Sequence, residues 1–600
     1  MCGYLGKISK VNFDKQELIT ANSCQVCRGP DDLKQRGTED IKFLKKENFI
    51  SSFVFNRLSI IDLSEKASQP MVDYKNENIV MFNGEIYNHR DLRNSMEKEG
   101  IQFLTNHSDT EVVLNGIGNY GLDFVNKLNG QFSIFFKNSK LNKVFLIRDR
   151  LGQKPLFYHI DKVGISFSTN LKSLAKLNKT ANFSEEMILD YLNLGVVPSP
   201  NTIFKDYYKV EPGSILSYDL ETLEVNKIKY WDIETHIGNK KFNYSEFVEI
   251  FEKSVNLRLE SDVPFAAFVS GGLDSTAVIK GIKSQNPVNT FSMLFENEKY
   301  NEEIWSNAVA NKYKTTHTTS TMSKKNNFND LQEVVKALDE PYADISLIPT
   351  YLLSKEISKH YKVAISGDGG DELLFGYEHS NKISTNNANS GMSFIYKLLY
   401  AAYPARLGSG NQLLSKSNNI ETAYKSFFED RKLLSLLNLS SNFNFDNYFS
   451  ANTENPLKKI MIADYRYYLS EMMLLKIDRA SMANSLEIRS PFVDHNLVEY
   501  IISSETNYIE KANPKAILKN YINTDFNSQF LNRKKMGFAF DMENWVYGNL
   551  NTVKEVIKEG SIINSINPKI VNQLAQRPTR INSHRLWKLL LLELYIKNNE

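Results

Sequence analysis

The chain has 600 residues, 72 Lys and Arg against 70 Asp and Glu, a formal net charge of +2 and 42% hydrophobic residues. That length exceeds what one core supports, so more than one domain is expected in an ordinary globular composition. The near-neutral balance, with no sustained basic block, argues against a nucleic-acid partner. No apolar run is long enough to span a bilayer, so no membrane partner is expected. Three Cys, all within the first 27 residues, indicate no disulfide framework and suit a reducing cytoplasm.

In chain order, the first informative residue is Cys2, in Cys2-Gly3-Tyr4-Leu5-Gly6. Removal of Met1 would leave its thiol beside a free α-amine. Such an amine titrates near ~8 and can take the thiol proton, so one residue supplies nucleophile and base. Lys7-Ile8-Ser9-Lys10 interrupts any secretory core. Cys24-x-x-Cys27 has no second pair to complete a zinc site, which favours a structural or incidental role. Arg28-Gly29-Pro30-Asp31 follows. Arg57 offers a planar fork for an α-carboxylate, and Asp109 offers an anion for an α-ammonium. Asn83-Gly84 reads as a turn-like dipeptide after the apolar run Ile79–Phe82. Its side-chain amide and backbone N–H would make a pair of oxyanion donors. Taken singly, Asn83-Gly84 is also a common hairpin turn, Arg57 a surface charge, and Asp109 a helix N-cap. Taken in this order from residue 2, the pieces resemble the class II glutamine amidotransferases.

Phe265–Val269 is a short apolar run typical of a buried parallel strand. It runs into Ser270-Gly271-Gly272-Leu273-Asp274-Ser275-Thr276 and then a helical pattern, an arrangement that cradles anions at a helix N-terminus. No Lys follows the glycines, so this is not the usual P-loop; it is similar to the pyrophosphatase loop of enzymes that cut ATP between its α- and β-phosphates. A second unit repeats the theme. The strand Lys362–Ile365 leads into Ser366-Gly367-Asp368-Gly369-Gly370-Asp371-Glu372, whose acids would repel one another without a cation. Asp274 and Asp371 are therefore the candidate Mg²⁺ ligands.

Lys476–Ala483, Glu487–Asp494 and Arg533-Lys534-Lys535-Met536-Gly537-Phe538 extend the resemblance to the glutamine-dependent asparagine synthetases, over nearly the full length. The resemblance implies an α/β fold. An N-terminal-nucleophile αββα sandwich would be followed by a doubly wound parallel-sheet ATP-pyrophosphatase domain with a helical C-terminal part. Residues 2–215 would be the glutaminase domain, 216–239 a hairpin and linker, and 240–600 the synthetase domain. It implies Cys2 as nucleophile, Asn83 and Gly84 as oxyanion hole, and Arg57, Asn83, Gly84, Glu85 and Asp109 as the glutamine site. Phe268, Ser270, Gly271, Gly272, Asp274, Ser275, Met293, Ser366 and Gly367 would bind ATP, with Mg²⁺ on Asp274 and Asp371. Lys535 would neutralise charge at the α-phosphate, and Asp368 would take a proton from attacking ammonia. Glutamine, ATP and aspartate are the implied small-molecule partners, in a cytoplasmic protein compatible with a homodimer.

Four positions depart from the family pattern: Asp368 for the usual Glu, Cys27 for His, Asn56 for His or Arg, and Leu373-Leu374-Phe375-Gly376-Tyr377 for the usual loop ending. The first puts the acceptor in question, and a sugar acid or another carboxylate is the alternative. A non-catalytic sensor would not need Cys2, Asp274, Asp371 and Lys535 together, and a β-lactam-forming relative would dispense with the cysteine.

Overall fold

The computed structural model describes residues 2–599 apart from 180, 285, 296–300, 323–327, 385–389, 450–451, 509–514, 534–536 and 539. Lys535 therefore lies outside the described residues.

The first 230 or so residues build two antiparallel six-stranded sheets. In one, Gly3–Ser9 lies between Ile50–Arg57 and Gly164–Ser168, flanked by Asp32–Gly37 on one side and by Phe157–Asp161 and Tyr208–Lys209 on the other. The other runs Val225–Lys229, Ser214–Asp219, Lys143–Arg148, Gly130–Asn138, Asn78–Ile86, Met71–Asp73. The hairpin expected after Pro212 is present. Because Ile215 pairs with Ile147, it completes this sheet, and the sheet ends near residue 229.

Period-two alternation makes both faces of the central strands apolar. Tyr4, Phe53, Ile79, Met81 and Phe135 point into the space between the sheets, where the rings of Phe135 and Phe167 stack at 4.3 Å. Their neighbours Val80, Phe82 and Ile134 point outward, under the helix Asp109–Tyr120 with Val112 and Val113. Leu5 and Val54 point outward on the other side, under the helices Lys15–Asn22 and Leu171–Asn178. The order is helix, sheet, sheet, helix, as expected.

The rest of the chain is built on a five-stranded parallel sheet in the order Thr316–Met322, Asn289–Phe295, Phe265–Phe268, Val363–Ile365, Glu487–Arg489. The order reverses at Phe265–Phe268, which makes the crevice beyond that strand and Val363–Ile365 the switch point where doubly wound sheets bind ligands. Beyond the sheet the chain is helical. The segment Pro456–Met482 carries a π-helical stretch over Asp464–Met473. Arg580–Lys597 is buried on nearly every side through Leu586, Trp587 and Leu589–Leu592. Among the described residues no helix is long and apolar enough to cross a membrane. The outer helical layer of the first half and the flank of the parallel sheet share one apolar core, in which Leu174 and Tyr191 meet residues such as Ile365 and Trp587.

Candidate active site

Cys2 is buried at the entrance to its strand, and its backbone nitrogen donates to Asn83 Oδ1 at 3.0 Å. Asn83 Nδ2 donates to Ser133 Oγ at 3.2 Å. Behind Cys2, Asn22 and Asn56 exchange two amide hydrogen bonds of 2.9 Å each. That gives the unusual Asn56 a packing role in a buried polar network. Burial pushes the Cys2 thiol above its ordinary range, so it is a thiol at rest and needs a base.

Asn83-Gly84 is not a turn. Both residues sit inside the strand Asn78–Ile86, with Gly84 opposite Phe132. The glycine is required by close approach: a Cβ there would lie 2.0 Å from the Gln131 carbonyl, at φ +152°. The N–H of Phe132 donates to Asp149 Oδ2 and its carbonyl accepts from the Asp149 N–H. In an antiparallel ladder a directly opposed pair exchanges both bonds or neither, so the Gly84 N–H faces the other edge. On that edge the Gln69 side chain accepts from the Phe82 N–H at 2.6 Å and Asp109 Oδ2 accepts from the Ile86 N–H at 3.2 Å. The Gly84 N–H lies between them beside Asn83.

Arg57 ends the strand Ile50–Arg57, and its guanidinium is fixed by the carbonyls of Ser64, at 2.8 Å, and Asp62. Asp109 opens the helix Asp109–Tyr120 rather than capping it; Ser108 is the cap residue. Burial, then the Asp109 carboxylate beside it, pushes Glu85 well above the carboxylate range, and burial raises Asp109 as well. Arg489, from the last strand of the parallel sheet, reaches Glu85 Oε2 at 2.9 Å and Glu487 Oε1 at 2.6 Å. Although burial works against its charge, the Arg489 guanidinium holds Glu487 down at about 2. A side chain of the second half thus touches the candidate glutamine site of the first.

In the second half the loop after Phe265–Phe268 folds onto itself. Ser270 Oγ accepts from the Gly272 N–H at 3.2 Å and meets Ser275 Oγ at 3.2 Å, and Gly272 precedes the helix Leu273–Gly281. The second loop packs directly against the first: a Cβ on Gly367 would lie 2.8 Å from the Ser275 nitrogen, and one on Gly370 would lie 2.5 Å from Asp274 Oδ1. Phe268 ends its strand, Met293 is buried in the neighbouring one, and the Ser366 N–H donates to the Arg489 carbonyl at 2.9 Å. The carbonyl of Asp368 accepts from Ser490 Oγ. Arg533, at the start of the lysine-containing motif, pairs with Glu302 at 2.8 Å.

Asp274 and Asp371 do come together, and both pair with the Nζ of Lys515. Burial works against that ammonium, but the two carboxylates outweigh it and raise its pKa to about 12. Glu372, counted above among the mutually repelling acids, turns away. It is buried and accepts from Tyr377 Oη at 2.8 Å, and burial, then the Asp371 charge, pushes it up to about 8. The repulsion in this loop is relieved partly by neutralising Glu372. Among the described residues no group of three or more His, Cys, Asp or Glu forms a metal site.

Between the two sites Arg28 Nη1 pairs with Asp478 Oδ2 at 2.8 Å, and Lys154 Nζ reaches Asp478 Oδ1 at 3.3 Å, all buried. A small cavity at this boundary is lined by Gln131, Gln153 and Lys154 from the first half and by Ser366, Asp478 and Ser490 from the second. Sequence reasoning did not assign Lys515, Glu487 or Arg489 to a site. Lys515 stands alone in its segment and gives no signal. Glu487 and Arg489 are two apart on a strand, so they share a face, and two opposite charges on an otherwise buried strand were the available clue.

A family model described as asparagine synthase matches residues 246–597, and one described as a glutamine amidotransferase domain matches residues 1–231. The chain belongs to the asparagine synthase family. It is 30% identical to the glutamine-hydrolyzing asparagine synthetase 1 of Bacillus subtilis (strain 168), over 99% of this chain and 96% of the relative. Asparagine synthetase 3 of the same organism is 29% identical over 84% of this chain and 80% of that relative. For a family member of this kind, the two matched regions fall on the two halves just described: the antiparallel sheets lie within the amidotransferase match, and the parallel sheet lies within the asparagine synthase match.

Proposed function

We propose that this protein hydrolyses glutamine at Cys2 and uses the ammonia to amidate a carboxylate activated by ATP, with aspartate as acceptor and asparagine as product. The observation that carries the reading is the small cavity at the boundary of the two halves, lined by Gln131, whose carbonyl closes on Gly84, and by Ser366 of the second glycine loop. It suits a path by which ammonia reaches the second site without meeting bulk water. Residues to about 231 act as glutaminase and those from about 246 as synthetase.

In the first half Arg57 holds the glutamine α-carboxylate and Asp109 its α-ammonium, with Glu85 shaping the same pocket. The Cys2 α-amine takes the thiol proton, and sulfur attacks the amide carbon. The Asn83 amide and Gly84 N–H receive the developing oxyanion. Ammonia leaves, and water releases glutamate from the thioester.

In the second half Ser270, Gly271, Gly272 and Ser275 surround the phosphates, while Phe268, Met293, Ser366 and Gly367 hold the nucleoside end. A carboxylate oxygen of the acceptor attacks the α-phosphorus and pyrophosphate leaves, giving a β-aspartyl adenylate. Lys535 neutralises charge at that phosphorus. Ammonia then attacks the acyl carbon, AMP departs and Asp368 takes the proton. Asp274 and Asp371 suit Mg²⁺, because the fold already directs both toward one cation, Lys515, and their oxygens match a hard ion. When bound, that ion would neutralise charge on pyrophosphate.

A second reading, the same chemistry on another carboxylate such as a sugar acid, draws on Asp368, one methylene shorter than the family's usual Glu. An acceptor screen separates the two. The enzyme is incubated with ATP, Mg²⁺, glutamine and single carboxylates, and pyrophosphate and amide are measured. Aspartate-dependent pyrophosphate with asparagine supports the first reading. Pyrophosphate that appears only with a sugar acid replaces it with the second.

A further inference from the structure

The helix Ser390–Ala402 is amphipathic in the reverse of the usual sense. Ser393, Tyr396 and Tyr400, spaced three and four apart, turn toward the protein, while the apolar side chains turn outward. Phe394 is 64% exposed, Leu398 54%, Leu399 50% and Ile395 46%. Just beyond the helix Leu407 is 53% exposed, and Ile581, 37% exposed, has its Cδ1 3.2 Å from the Cβ position of Gly408. Proteins rarely leave so many large apolar side chains of one helix in water without a use for them.

Positive charge predominates around this face. From residue 379 to residue 420 the chain has no Asp or Glu, and it carries Lys397, Arg406 and Lys416 besides Lys382, which pairs with Glu378 at 2.7 Å. Lys416 Nζ lies 5.7 Å over the Tyr396 ring and Lys432 Nζ lies 4.8 Å over the Tyr400 ring. The carboxylates that influence Tyr400, Glu429 and Asp430, are already paired, at 2.8 Å with Arg431 and 2.7 Å with Arg585. A second copy docked here about a two-fold axis would bring the same cations against themselves.

We propose that the outer face of helix Ser390–Ala402 docks this protein on an anionic lipid bilayer. Phe394, Leu398 and their neighbours enter the boundary between headgroups and acyl chains, while Lys397 and Arg406 lie among the headgroups with their stems along the apolar surface. No membrane-spanning segment is needed, so the absence of a long apolar run in the sequence is compatible with this attachment. The inference rests on the surface alone and stands apart from the choice of acceptor.

The test is flotation of the full-length protein with vesicles of phosphatidylcholine and phosphatidylglycerol in equal parts, against vesicles of phosphatidylcholine alone. The protein should float with the mixed vesicles and fall away as salt is raised. Phe394→Ser with Leu398→Ser should reduce partitioning at least ~tenfold, given the apolar area withdrawn. Lys397→Ala should reduce it about fivefold, the effect of one cation near an anionic surface. Both variants should keep the wild-type glutaminase rate, which shows them folded. Failure to float with mixed vesicles at physiological salt overturns the proposal. So does equal binding to phosphatidylcholine alone, or equal binding by the double variant. A wild-type dimer in sedimentation velocity that Leu398→Ser converts to monomer also overturns it, because the face would then be covered by a second copy.

Discussion

At the scale of single residues, the two halves make separable demands. In the proposed reaction Cys2 serves only glutamine, since ammonia from solution would bypass it. Cys2→Ala should abolish glutaminase activity, while ammonia-dependent amide formation persists at near the wild-type rate. The two assays are run on the same preparation, and loss of both in folded protein contradicts the assignment. Asp368 and Lys535 should act at different steps. On the proposed role, Lys535→Ala removes a charge that would stabilise attack at the α-phosphorus, so acceptor-dependent exchange of labelled pyrophosphate into ATP should disappear. Asp368→Asn should keep that exchange and form little amide, because only the proton transfer from ammonia is lost. Equal loss of exchange in both variants contradicts the division. The sequence singles out Cys2, Asp274 and Asp371 because the chemistry proposed for them depends on local context: a position next to Met1, and two glycine loops each preceded by an apolar run.

At the scale of elements, glycines and buried acids set the site. Gly84→Ala would place a Cβ 2.0 Å from a backbone carbonyl of the adjacent strand. The strand must move, at a cost of roughly 1–3 kcal/mol. Displacing the Gly84 N–H should lower the glutaminase kcat about 100-fold, the usual effect of a lost oxyanion donor. Ammonia-dependent synthesis measured in parallel should change little. In the second loop Glu372 has an ordinary value of 4.5 and is raised to about 8 in the fold. As pH rises the unfolded chain ionises first, so the contribution of this group is fullest below about 4.5 and is lost as pH rises through about 8. Glu372→Gln removes that dependence. Thermal melts should show the variant more stable than wild type at pH 8 and closely matched at pH 5; a constant difference across that range contradicts the argument.

At the scale of the whole molecule, buried charge ties the halves together. Arg489 holds Glu85 and Glu487 at once, and Arg28 with Lys154 holds Asp478. Removing one partner from such a group leaves a buried charge uncompensated, at about 3–5 kcal/mol. Arg489→Met should lower Tm clearly and weaken glutaminase activity, although Arg489 belongs to the other half. It should also resolve calorimetric unfolding into two transitions where wild type shows one. A single unshifted transition would mean that the shared apolar core alone couples the halves. Glu85 also loses the cation that faces it, so KM for glutamine should rise more than kcat falls.

The sequence by itself determined the order and type of most central elements. Apolar runs such as those in Phe265–Val269 and Lys362–Ile365 read as strands because burial on both faces leaves little choice of residue. The glycine loops read as anion cradles because the backbone geometry they need is local. The sequence could not decide that Asn83-Gly84 continues a strand. A tight turn and a close strand-to-strand approach both require a missing Cβ, and only the position of the Gln131 carbonyl separates them. Nor could it bring Lys515 to Asp274, or Arg489 to Glu85, across 241 and 404 residues of chain. The first forms within the second half, where the helix Ala516–Ile522 packs on Leu273–Gly281, and the second where the last strand of the parallel sheet meets the antiparallel pair. Their energy comes from the attraction between opposite charges held close together, set against the cost of removing their water, and no local pattern of residues records it.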